Sequence, residues 1–152
     1  MLRFKDAPKT EDEKIEFMNE FFHARYPDEL KETNDLIAIS EHERYIKCID
    51  NNMIHKCSCS FNGCLDKNKI CKRGYMTNTI NSSSSFDEKG YPKYIRKTEK
   101  DLKVVPHNKE MLLDWEGHIN VEFCGKVYAV MYLYNYLFKG YFLLYIFFFM
   151  YT

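Results

Sequence analysis

The side chains best equipped for chemistry in this 152-residue chain are thiols, imidazoles and phenols. His55, Cys57, Cys59, Cys64 and Cys71 follow one another as His-x-Cys-x-Cys-x4-Cys-x6-Cys. Thiolate and neutral imidazole are the ligands of tetrahedral zinc, and four of these five would complete one site. The spacing is not the paired Cys-x2-Cys form, and two cysteines one residue apart are strained around a single ion. Lys56, Lys67, Lys69, Lys72 and Arg73 surround the cluster and favour thiolate over thiol. A structural zinc and a set of spare thiols therefore both stand open. A metal would close residues 53–75, which show neither a helical nor a strand period and are too polar to fold by burial alone. Cys48 and Cys124 stand apart from the cluster and read as packing residues, and His23 and His42 as surface or capping histidines.

Two further constellations carry chemistry. In the basic stretch 89–103, Tyr91 and Tyr94 alternate with Lys93, Arg96 and Lys97. Cations can pair with phosphates while rings stack on unpaired bases, so these five residues are candidate contacts to single-stranded DNA. A solvated hairpin is the competing reading. Farther on, Tyr132 and Tyr136 fall one helical turn apart if residues 126–139 are a helix, with Lys139 close enough to lower a phenol pKa. Tyrosine can act as a covalent nucleophile, but an aromatic packing stripe would leave the same pattern.

The elements that must position these groups are only partly legible. Residues 10–24 predict a helix: Thr10 and Glu13 form a capping box, and Ile15, Met18, Phe21 and Phe22 share one face. A second helix is expected from about Thr33 to Ile49, with Leu36, Ile39, Tyr45, Ile46 and Ile49 as its apolar set. Val104 to Asn108 reads as a short strand ended by Pro106. His118 to Cys124 alternates as a strand, with Ile119, Val121 and Phe123 on one face. Residues 126–139 fit a strand and a helix equally well.

Length and composition set the frame. The chain is one domain's length, with 45% apolar residues. Lys plus Arg and Asp plus Glu are both 22, which excludes a strongly basic nucleic-acid module and an acidic disordered tail. The balance conceals an asymmetry: residues 48–110 carry 12 basic and 7 acidic side chains, so an anionic partner is expected to meet the protein there. No apolar stretch follows the first basic residues, so a reducing compartment is expected. The terminal run YFLLYIFFFMYT is uncharged and aromatic. It fits a buried last strand, a tail anchor or a frame that runs into sequence never selected as protein, and it is read as aberrant.

Residues 87–140 resemble the replication-initiator region of Helitron transposases. The resemblance rests on Gly90-Tyr91-Pro92, Tyr94 and Arg96, then Val104-Val105-Pro106-His107-Asn108 with Leu112-Leu113. It continues through His118-Ile119-Asn120-Val121-Glu122, Tyr132-Leu133, Tyr136 and Lys139-Gly140. A weaker match falls on Cys71-Lys72-Arg73-Gly74-Tyr75. The resemblance implies an HUH-type endonuclease that nicks single-stranded DNA and transfers strands, fused to an ATP-dependent helicase and working in the nucleus. A histidine pair in such enzymes holds magnesium or manganese, which polarises the scissile phosphate. Tyr132 and Tyr136 would be the catalytic nucleophiles, which favours a helix over 126–139, and Lys139 would join the DNA contacts.

The chain departs from that pattern at decisive places. It contains no His-x-His and no Walker-type Gly-Lys-Ser/Thr, and Asn135 stands where a lysine usually precedes the second tyrosine. The expected fold is α+β: a small antiparallel sheet with flanking helices, an incomplete HUH-endonuclease-like domain with a Cys-rich loop insertion. The expected division is a helical segment 1–52, a Cys-rich zinc-binding loop 53–75 and a Ser-rich linker 76–89. The initiator's strand-helix part, 90–140, and the aromatic tail 141–152 follow. The functional expectation is an initiator fragment that is inactive alone. The alternative is a non-enzymatic, zinc-stabilised nucleic-acid-binding module. Neither a small-molecule substrate nor a membrane partner is expected.

Overall fold

A computed structural model describes residues 8–57, 63–75, 78–88 and 90–123. Three helices and a two-stranded antiparallel sheet give an α+β arrangement. Helix α1 (Glu11–Phe21) starts where its local chemistry dictates. Thr10 Oγ1 accepts from the Glu13 amide, and the Glu13 carboxylate accepts from the Thr10 and Lys9 amides. Glu11, Asp12 and Glu13 place negative charge against the positive end of the helix. Helix α2 (Leu36–Cys48) is capped by Asp35, whose Oδ1 accepts from Ile37 and Ala38. It runs on into a π-helical turn over Ile49–Met53. Leu36 differs from expectation: it is 78% exposed, because the first turn of α2 reaches past the core.

Helix α3 (Lys109–Trp115) has no counterpart among the expected elements. Asn108 caps it, its side chain accepting from the Met111 amide and donating to the Phe21 carbonyl. Strands β1 (Ser85–Phe86) and β2 (Pro92–Lys93) pair with Ser85 opposite Lys93 and Phe86 opposite Pro92. They are joined by a turn in which Asp87 accepts from Gly90 and Tyr91 while Gly90 takes a positive φ of 81°. The serine-rich stretch thus supplies a strand and a buried residue, Ser84. Residues 104–108 are extended but form only isolated bridges, Val104 with Ile54 and His107 with His23.

Residues 118–123 keep the expected alternation as burial and not as a ladder. Ile119, Val121 and Phe123 face inward to differing depths while His118, Asn120 and Glu122 stay exposed. Among the described backbone bonds the segment makes one, from the Val121 amide to the Pro106 carbonyl.

Two apolar clusters hold these pieces together. The first joins Tyr45, Cys48, Ile49 and Met53 to Val104, Val105, Leu112 and Leu113, which bears out Cys48 as a packing residue. The second gathers Met18, Ala24, Tyr94 and Phe123, with Phe17, Phe22 and Phe86 against them. Against the first cluster His107 is fully buried. Its Nδ1 lies 2.8 Å from the Val105 carbonyl, which can only accept, so the proton sits on Nδ1. Nε2 then accepts from the Tyr45 hydroxyl at 2.8 Å. No helix among the described residues is long and apolar enough to cross a membrane.

Candidate metal centre

Four of the five cluster residues converge. One ligand atom each from His55, Cys57, Cys64 and Cys71 lies within 4.8 Å of every other. Cys59 lies outside the described residues. Tetrahedral zinc places its sulfur ligands about 3.8 Å apart and a sulfur and nitrogen about 3.6 Å apart. The separation of Cys71 Sγ from His55 Nε2, 3.4 Å, is close to that. The structure therefore holds a three-thiol, one-imidazole cluster that could bind a structural metal such as zinc. This donor set is soft and closed, and it suits zinc better than magnesium or manganese, which prefer oxygen.

The local fold explains the convergence. Cys64 and Cys71 face each other across the base of a small hairpin. The Lys72 amide donates to the Cys64 carbonyl at 2.7 Å, and Leu65 bridges Cys71. The turn is closed by Asp66, whose Oδ1 accepts from Asn68 and Ile70, both at 2.8 Å. Beyond Cys71 the chain folds back as Lys72-Arg73-Gly74-Tyr75. The Gly74 amide donates to the Cys71 carbonyl at a Gly74 φ of 76°. That curl aims the Arg73 and Tyr75 amides at the Cys71 sulfur.

His55 enters from the other side. Its amide donates to the Lys103 carbonyl at 2.8 Å, and the neighbouring Ile54–Val104 bridge ties it to the first apolar cluster. The Tyr75 ring stacks on the imidazole, centroids 4.1 Å apart and planes within 15°. Tyr75 is itself packed on that cluster, so the ring orientation of His55 is fixed from the core.

Electrostatics fit a cation in this place. Burial pulls the His55 pKa down, and the charges of Arg73, Lys103 and His118 pull it further, so the imidazole is neutral, its ligating form. Burial opposes ionisation of Cys71, but the Arg73 and Tyr75 amides and the neighbouring thiols outweigh it and lower the pKa. Desolvation and the hydrogen bonds of Cys71 and Cys64 push Cys57 the other way. Three crowded sulfurs do not all ionise together without a compensating positive charge. Tyr75 and the amides over Cys71 were not among the expected site residues. The signal for them is the glycine three positions after Cys71, which lets the backbone curl over the sulfur.

The basic stretch is arranged differently from expectation. Arg96 is only 5% exposed, and its Nη1 donates to the carbonyls of Ala24 and Val104, both at 3.0 Å, and to that of Asp101. Tyr94 is buried in the second cluster, its hydroxyl accepting from the Phe123 amide at 2.8 Å. Neither side chain reaches an external phosphate or base, because each is committed to internal partners. Lys97 is at the surface but paired with Asp28, which Arg25 also contacts at 3.1 Å. Tyr91 and Lys93 are exposed. Lys139 and the two candidate nucleophiles, Tyr132 and Tyr136, lie outside the described residues.

Comparison with protein-family models, with curated proteins and with solved structures gives no match to any of them.

Proposed function

We propose that this chain is a zinc-clamped module that binds single-stranded nucleic acid without cleaving it. The observation that carries the proposal is the convergence of His55, Cys57, Cys64 and Cys71 on one point. A structural ion there would do for residues 53–75 what an apolar core does elsewhere, since this stretch has no periodic hydrophobic face. The excess of basic side chains over residues 48–110 supplies attraction for a polyanion. The test is the metal content of purified protein together with its binding to a labelled oligothymidylate. About one zinc per chain, and binding that weakens steeply with salt, are expected. Less than about 0.2 zinc per chain would make the cluster spare thiol and end the proposal.

The resemblance over residues 87–140 favours a second reading, a remnant of a nuclear rolling-circle initiator. In it Tyr132 and Tyr136 are the nucleophiles, and magnesium or manganese is held by histidines. The sequence holds no His-x-His, and His107, which faces His23 across an antiparallel bridge, has both ring nitrogens engaged by Tyr45 and Val105 and is not free to ligate. Incubation with single-stranded DNA and manganese is therefore expected to yield no phosphotyrosine adduct. An adduct would put the initiator reading first.

A further inference from the structure

We infer that the nucleic acid is held by the metal-pinned hairpin itself, through Lys67, Lys69 and Lys72, and not by the basic stretch 89–103. This deepens the proposed function and rests on it. All three lysines are exposed, and none takes part in an ion pair among the described residues. They belong to the segment 64–73, whose only acid is Asp66. That carboxylate is held by two amides of its own turn, and Lys67, Lys69, Lys72 and Arg73 outnumber it, so the segment carries a net positive charge. The backbone of the turn fixes where Lys69 stands. This residue sits in the left-handed region at a φ of 62°, where glycine or asparagine would be at ease. That conformation belongs to the hairpin's own turn, in which the Lys69 amide donates to the Asp66 carbonyl and the Asp66 amide to the Ile70 carbonyl, and it sets Lys69 at the exposed end of the hairpin.

The metal gives the patch its shape. Cys64 and Cys71 close the hairpin base and are two of the four ligands, so the ion would hold three cations at fixed separations on a narrow protrusion. Spaced point charges on a polar turn match a phosphate backbone. A lipid surface would ask for an apolar wedge, and the turn offers only Ile70, half exposed. By contrast, stretch 89–103 has its central arginine turned inward and Lys97 already paired.

The test compares zinc-loaded full chain with two variants, using fluorescence anisotropy of a labelled oligothymidylate over a salt series. One variant carries Lys67→Ala, Lys69→Asn and Lys72→Ala, asparagine being at ease at a positive φ. The other carries Lys93→Ala and Lys100→Ala. The triple variant should bind at least tenfold more weakly, with its salt slope reduced by about 2 for three lost contacts to a single strand. The double variant should stay within about threefold, since it removes no hairpin contact. Replacing the same three lysines by arginine should restore binding, and zinc content is measured for every variant so that a damaged site is distinguished from a lost contact. A triple variant that retains zinc and binds within threefold of the parent overturns the hairpin surface and leaves the module reading standing. A parent chain that binds vesicles rich in phosphatidylserine but no oligonucleotide overturns both.

Discussion

Replacing Arg96 by methionine separates a structural arginine from a DNA-binding one. The guanidinium joins three parts of the chain that are distant in sequence. Ala24 lies just after α1, Asp101 lies in the 3-10 turn Glu99–Lys103, and Val104 lies in the first apolar cluster. Methionine fills much of the aliphatic volume but leaves the Ala24 and Val104 carbonyls without a donor, while the Asp101 carbonyl keeps the Val104 amide. Each orphaned group costs about 1–3 kcal/mol, partly offset because a guanidinium no longer has to be desolvated. A net loss of about 3 kcal/mol is expected. Urea unfolding of the zinc-loaded protein, followed by far-ultraviolet circular dichroism, measures it. Lys93→Ala, at the surface of β2, serves as the control and should change stability by less than about 0.5 kcal/mol. Arg96→Lys should fall between the two, because all three bonds leave one nitrogen, Nη1, and an ammonium carries enough donors but sits on a shorter side chain. If Arg96→Met unfolded within about 0.5 kcal/mol of the parent while losing oligonucleotide binding, the carbonyl bracket would be incidental and Arg96 would be a phosphate contact after all.

Other consequences follow from the same geometry. Cys71→Ala should weaken zinc binding by more than about 100-fold in a chelator competition, whereas Cys48→Ala, in the apolar cluster, should leave it unchanged. Burial lowers the His107 pKa to about 4 against an ordinary 6.5, so the unfolded chain binds the extra proton first. Stability is then full above about pH 6.5 and falls by up to about 3 kcal/mol as the pH drops toward 4. His107→Gln should flatten that slope, the remainder coming partly from His23, which burial lowers too. Asn108→Ala should cost about 1–2 kcal/mol in urea unfolding, because one side chain both caps α3 and anchors the end of α1.

What the sequence discloses here is mostly what is local. The start of α1 is legible because Thr10 and Glu13 satisfy each other three residues apart. The ligand types of the metal centre are legible for the same reason, since thiols and an imidazole in a polar stretch have few other uses. Helix α3 is hard to foresee: it has only seven residues, follows a proline-terminated extended segment, and is stabilised by burying Leu112 and Leu113 against α2 and residues 104–105. The direction of Arg96 is harder still. A basic stretch announces charge but not orientation, and one of its three acceptors, the Ala24 carbonyl, is 72 residues away. The alternation over 118–123 predicts which side chains go inward. It does not predict a ladder, because apolar contact alone can fix the facing of an extended segment.

The same distinction bears on the Helitron resemblance. Among the described residues, those that carry it mainly build the fold. Gly90 supplies a positive φ in the hairpin turn, Tyr94 and Arg96 tie buried backbone groups, and Val104, Val105, Leu112 and Leu113 form the first cluster. His107 locks to Tyr45, and Asn108 caps a helix. Residues with such duties can be shared by chains that share packing while differing in chemistry, since a buried arginine or a capping asparagine is needed whatever the surface does. The chemical capacity of the described protein is concentrated instead in His55, Cys57, Cys64 and Cys71 and the lysines around them, where the resemblance is weakest. A metal clamp with a cationic hairpin would need neither a histidine pair nor a nucleophile, and the proposed binding role rests on these groups.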